Sequence, residues 1–191
     1  MNLPNKLSLL RIILVPVMAI VFLLDFAYAP LIAVAIFIIA ALTDFFDGRI
    51  ARKYNMVTDL GKLLDPIADK MLVLFALFLI VDAKLIPFGY GAFCGGIIIG
   101  RELLISGVRQ IAAGKGLIIQ ANMYGKVKTF VQDIALPITM LLKMQEVIVS
   151  GISQTFFDVY QIVCWSLLGV ATLLTIISGI IYLVQNKSVF S

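Results

Sequence analysis

Histidine is absent from this chain of 191 residues, cysteine occurs twice, tryptophan once, and charged residues make up only 14%. Without histidine the commonest imidazole ligand for zinc or copper is missing, so any bound metal must be held mainly by oxygen, which suits magnesium or manganese. Cys94 and Cys164 lie in separate apolar runs, without C-x-x-C spacing, and read as buried small hydrophobes rather than a zinc or redox pair. The scarcity of charge goes with 62% hydrophobic residues and a mean hydropathy of +1.09, which excludes a soluble single domain. The first apolar stretch, Leu9 to Phe26, is followed by further apolar runs long enough to span, so it reads as a retained helix rather than a signal peptide.

What is present is one membrane-embedded domain, residues 1–191. A helix crosses a hydrocarbon core with about 20 apolar residues, which leaves room for roughly six passes and no separate soluble domain. Apolar runs and breakers predict transmembrane helices near 9–26, 30–52, 61–82, 86–113, 122–145 and 155–185. Ahead of them, Met1 to Leu7 reads as a short interfacial helix, with Asn5 or Ser8 placed to cap the first span. Pro30 and Pro87 stand where new helices start. Most cations, among them Lys6, Arg11, Arg49, Arg52, Lys62, Arg109, Lys126 and Lys128, fall at one end of the predicted bundle, against Lys84 and Lys143 at the other. That asymmetry puts both termini on the cytoplasmic side of a cell membrane. For Lys53, Lys115 and Lys187, topology and attraction to anionic lipid suffice as a reason. No internal repeat or inverted pair of broken helices suggests a secondary transporter.

Of the 11 acidic residues, five lie between Asp44 and Asp69. Asp44 and Asp47, three apart, share a face at the end of the second predicted helix; Asp65 and Asp69, four apart, share one at the start of the third, with Gly61 a turn earlier. The short link from Lys53 to Leu60 makes these helices an antiparallel hairpin whose polar ends meet. Four bare carboxylates so placed repel by several kcal/mol per close pair. Ion pairing with Arg49, Arg52, Lys62 and Lys70 is one remedy, but buried pairs rarely repay their desolvation. Two hard divalent ions are the better one, each keeping coordination sites for water or a substrate phosphate. Gly48 and Gly61 each cost about 1 kcal/mol within a helix relative to alanine. With Ala51 they serve either close helix packing or a slot for a nucleotide, in which Arg52 holds a phosphate.

The run Asp44-Phe-Phe-Asp47-Gly48-Arg-Ile-Ala51-Arg52, eight further residues, then Gly61-Lys-Leu-Leu-Asp65-Pro-Ile-Ala-Asp69, resembles without a gap the motif of the CDP-alcohol phosphotransferases, D-x-x-D-G-x-x-A-R, eight residues, G-x-x-x-D-x-x-x-D. The resemblance implies that family's all-α fold of six transmembrane helices, an N-terminal surface segment and a cytoplasm-facing cavity. It further implies two divalent ions, Mg2+ or Mn2+, on Asp44, Asp47, Asp65 and Asp69. The CDP-lipid would lie over Gly48, Ala51 and Gly61 with its diphosphate near Arg52, Asp69 would be the general base, and the protein would form a homodimer through membrane helices.

The second half bears on the acceptor. Arg101-Glu102 interrupts an apolar helix, Glu102, Ser106 and Arg109 fall along one face, and Gly125-Lys126-Val127-Lys128-Thr129 opens the fifth helix ahead of Gln132 and Asp133. With Asn5, Lys6, Ser8 and Arg11 these resemble the branch that transfers the phosphatidyl group of CDP-diacylglycerol to glycerol 3-phosphate. Arg101, Arg109 and Lys126 would bind the acceptor phosphate. Arg101 pairing with Asp133 or Glu102 for structural reasons is the rival reading; neighbours on a helix do not face each other, so direct pairing of Arg101 with Glu102 is not expected. Cardiolipin, inositol-phosphate and serine acceptors are alternatives within the family, and an ion transporter is one outside it. A transporter has no need of glycines and an arginine at nucleotide spacing, and no nucleic-acid partner is expected.

Overall fold

The computed structural model describes residues 3–53, 59–117 and 123–187, with the side chains of 3, 4, 44–53, 59–66 and 69 outside that description. Seven α-helices account for nearly all of it: α1 Leu3–Leu23, α2 Ala29–Lys53, α3 Asp59–Asp82, α4 Phe88–Gly114, α5 Met123–Met140, α6 Gln145–Gly151 and α7 Gln154–Gln185. There is no strand among the described residues. Four stretches are long and apolar enough to cross a membrane, Asn5–Leu23, Phe88–Gly114, Met123–Gly151 and Gln154–Gln185, and Ala29–Thr43 is a shorter apolar stretch.

The outside of the bundle is as apolar as the inside. Ile13 and Ile20 on α1, Phe93 and Leu103 on α4, Phe130 on α5, and Ile162, Leu173 and Ile180 on α7 are all exposed. Faces of this kind on helices of this length suit lipid and not water, and the chain is a multi-pass membrane protein. Inside, Val15, Met18 and Phe22 of α1 pack with Phe37 and Ala40 of α2, Leu72, Ala76 and Ile80 of α3, Ile98 of α4, Leu136 and Met140 of α5, and Leu168 of α7. Cys94 and Cys164 are free thiols buried in this core, in keeping with their apolar surroundings in sequence. α1 packs on α2 and α3, α7 on α4 and α5, and α3 joins the two groups through α4 and α5.

Two boundaries differ from the sequence reading. No break separates a surface segment from the first span: α1 is helical from Leu3, with Asn5 and Ser8 buried along its length instead of capping it. Pro4 permits this start, since a proline in the first helical turn gives up an N–H that has no partner there. The fifth helix also does not continue to 145. It ends at Met140 and gives way to a 3-10 turn, Leu141–Met144, before α6. From that turn Lys143 donates to the carbonyl of Phe22, and at 3.4 Å to that of Leu24, which satisfies acceptors left open where α1 ends. Its ammonium also stands 4.8 Å from the centre of the Phe22 ring.

Candidate active site

The buried polar side chains Asn5, Ser8, Arg11, Lys128 and Gln132 lie towards the end of the bundle that holds the start of α1, the ends of α2, α4 and α7, and the starts of α3 and α5. Asp44, Asp47, Gly48, Ala51 and Arg52 belong to the last part of α2, and Gly61, Asp65 and Asp69 to the first part of α3. These two helices pack against each other. The side chains of all eight residues lie outside the described ones, as does the link 54–58.

Next to this segment the structure places a buried cation. Arg11 has no exposed surface, and its Nε donates to the carbonyl of Ala40 at 3.1 Å. The Thr43 hydroxyl donates to the same oxygen at 2.7 Å. Ala40 precedes Asp44 by four residues, one helical turn, so α1 delivers positive charge to the edge of the acidic stretch.

On the other side of α3 lies a second polar cluster, built where α4, α5 and α7 converge. Glu102 Oε1 accepts from Lys128 Nζ at 2.5 Å and from Arg101 Nη1 at 3.2 Å. Arg101 Nη2 also donates to the Ser178 hydroxyl of α7 at 3.2 Å. Gly179 leaves the space that Arg101 crosses, since a β-carbon there would stand 3.1 Å from Arg101 Cγ. Two turns further along α4, Arg109 Nε donates to the Tyr182 hydroxyl at 3.2 Å, with the guanidinium carbon 5.6 Å from the centre of the ring. Between α3, α4 and α5 a cavity of about 50 Å3 is lined by Lys70, Glu102, Lys128, Thr129 and Gln132 together with apolar side chains.

Direct pairing of Arg101 with Glu102 corrects the sequence expectation. The rule that helical neighbours do not face each other concerns the directions of their β-carbons, and the long arginine side chain swings far enough to reach the adjoining carboxylate. Of the three proposed phosphate ligands, Arg101 and Arg109 turn towards α7, whereas Lys126 is exposed. The cation that reaches the interior from α5 is Lys128, 1% exposed, which belongs to the run Gly125 to Thr129 but was not among the residues expected to bind the phosphate. A signal for it exists: the buried stripe of Leu136 and Met140, carried back in steps of four, meets Gln132 and Lys128 and misses Lys126. Ser106, on the face proposed to carry Glu102 and Arg109, donates to the carbonyl of Glu102 in its own helix, at 2.8 Å.

Comparison with known proteins agrees with the motif. The family model described as CDP-alcohol phosphatidyltransferase matches residues 1–177. A protein of Bacillus subtilis named CDP-diacylglycerol–glycerol-3-phosphate 3-phosphatidyltransferase is 39% identical over 197 aligned residues, covering 97% of this chain and 95% of its own. Proteins of the same name from Rickettsia bellii, 38% identical over 99% of this chain and 97% of theirs, and from Salmonella choleraesuis, 38% identical over 87% and 91%, are similar as well. The match runs through the acidic hairpin and the polar cluster of α4 and α5 alike, and the chain belongs to the CDP-alcohol phosphatidyltransferase family.

Proposed function

We propose that this protein transfers the phosphatidyl group of CDP-diacylglycerol to glycerol 3-phosphate, giving phosphatidylglycerophosphate and CMP. The observation that carries this reading is near-full-length similarity, 36–39% identical, to proteins named for that reaction. The intact Asp44 to Asp69 motif and the cations beside it supply the chemistry.

The metal reading rests on the donor set. Four carboxylates belong to the near ends of two packed helices, and the chain offers no histidine. Among the described residues, which leave out these four side chains, no group of three or more cysteine or acidic side chains could hold a metal ion. An all-oxygen set of this kind fits Mg2+ or Mn2+, and Asp44, Asp47, Asp65 and Asp69 would hold two such ions. When bound, they would offset the diphosphate charge and stabilise the negative charge that builds up on the attacked phosphorus and on departing CMP. Gly48, Ala51 and Gly61 leave space for the CDP moiety, and Arg52 binds its diphosphate. Asp69 takes the proton of the acceptor hydroxyl as that oxygen bonds to the phosphorus of the phosphatidyl group and the bond from that phosphorus to the CMP oxygen breaks. Arg101, Arg109 and Lys126 are the proposed ligands of the acceptor phosphate, and Lys128 joins them on the strength of its burial beside Glu102.

The same reading gives a single domain, residues 1–191, of six transmembrane helices, with both termini and the site on the cytoplasmic side of the plasma membrane and a homodimer formed through membrane helices. Purified protein supplied with CDP-diacylglycerol and Mg2+ in detergent should release CMP with glycerol 3-phosphate. Much faster release with phosphatidylglycerol, inositol phosphate or serine would reassign the acceptor, and no release with any of them would overturn the enzyme reading.

A further inference from the structure

Gln132 lies one turn beyond Lys128 on the inward face of α5 and is 1% exposed. Its Oε1 is buried and has no hydrogen-bond partner among the described residues. A buried amide oxygen left in that state is costly, and it marks a place where a donor from elsewhere is expected. Gln132 lines the cavity of about 50 Å3 between α3, α4 and α5, beside Lys70, Glu102, Lys128 and Thr129. Two of these neighbours are already engaged: Lys128 donates to Glu102, and the Thr129 hydroxyl donates to the carbonyl of Gly125.

We propose that Gln132 is a specificity-determining residue whose Oε1 accepts a hydrogen bond from the acceptor hydroxyl that does not react. The inference rests on the proposed reaction. Glycerol 3-phosphate presents a phosphate, a primary hydroxyl that attacks, and a secondary hydroxyl that keeps its proton throughout. Lysine and arginine bind the phosphate but only donate, so they cannot receive that proton. Glu102 is an acceptor, yet its carboxylate is shared between Lys128 and Arg101, and its charge repels a phosphate. Gln132 offers a neutral acceptor in the same cavity, without that repulsion.

The test compares two acceptors in one preparation. 3-Hydroxypropyl phosphate keeps the phosphate and the primary hydroxyl of glycerol 3-phosphate and lacks only the central hydroxyl. The ratio of kcat/KM for glycerol 3-phosphate to kcat/KM for this analogue cancels losses of folded protein, of CDP-lipid binding and of metal. The full-length wild-type protein is expected to prefer glycerol 3-phosphate by roughly tenfold. In Gln132→Leu and Gln132→Met, which fill the space without an amide oxygen, the ratio is expected to fall towards one, whereas Gln132→Glu, which keeps an acceptor, should preserve the preference. Turnover of glycerol 3-phosphate with an unchanged ratio in the leucine or methionine variant, or a wild-type ratio near one, would overturn this inference alone. No CMP from the wild type with glycerol 3-phosphate would overturn the proposed reaction and the inference together.

Discussion

Glu102 and Lys128 join α4 to α5 through an ion pair 2.5 Å long, and the lysine side chain is almost wholly out of reach of solvent. Arg101 shares the same carboxylate oxygen at 3.2 Å, so one acid balances two cations where three helices meet.

This arrangement predicts unequal losses from the two halves of the pair. Glu102→Gln leaves Lys128 buried without its carboxylate and is expected to destabilise the protein by roughly 3 kcal/mol. Lys128→Met leaves Glu102 with Arg101 and should cost less, about 1–2 kcal/mol. Unfolding midpoints in detergent would order the variants, and an equal or larger loss for Lys128→Met would show that Arg101 does not share the carboxylate charge.

A second prediction concerns the contact of α4 with α7 at the opposite end of the bundle. Tyr90 donates to the carbonyl of Trp165 at 2.7 Å, and a β-carbon on Gly169 would stand only 2.6 Å from that hydroxyl. Gly169→Ala must therefore push the phenol aside, at an expected cost of about 1–3 kcal/mol. In a Tyr90→Phe background the oxygen in the way is gone, so the same alanine should cost clearly less. A thermal double-mutant cycle measures the coupling, and strict additivity of the two changes would refute the contact.

The third prediction addresses the acidic hairpin. Chelation of divalent ions should abolish CMP release, and added Mg2+ or Mn2+ should restore it. Asp69→Asn should abolish turnover while CDP-diacylglycerol binding, followed with a radiolabelled lipid, stays largely intact. Loss of both would make Asp69 a ligand rather than the base, and activity untouched by chelators would sink the two-metal reading.

The element pattern was legible in the residues because apolar runs of a length set by the membrane leave little choice but helix. Pro87 marked the start of α4, where it stands as the N-terminal cap, and the apolar settings of Cys94 and Cys164 foretold their burial. The end of α5 at Met140 was not legible, since nothing local in Leu141 to Met144 announces that Lys143 is drawn to the end of α1. The choice of Lys128 over Lys126 was legible only through the helical period, because the two lysines stand in similar local sequence and only steps of four back from Met140 and Leu136 separate the two sides of α5 they occupy.

By itself, then, the order of residues determined that the chain is helical and membrane-embedded, and which carboxylates stand at three- and four-residue spacing in a family motif, because periodicity and hydropathy are properties of a single length of chain. Only the tertiary structure decided that Glu102 serves both Arg101 and Lys128, that Arg109 rests on Tyr182, and that Gln132 faces a cavity. Long polar side chains end several bonds from the backbone that carries them, so their partners depend on which helix packs opposite, and that is settled by the whole bundle.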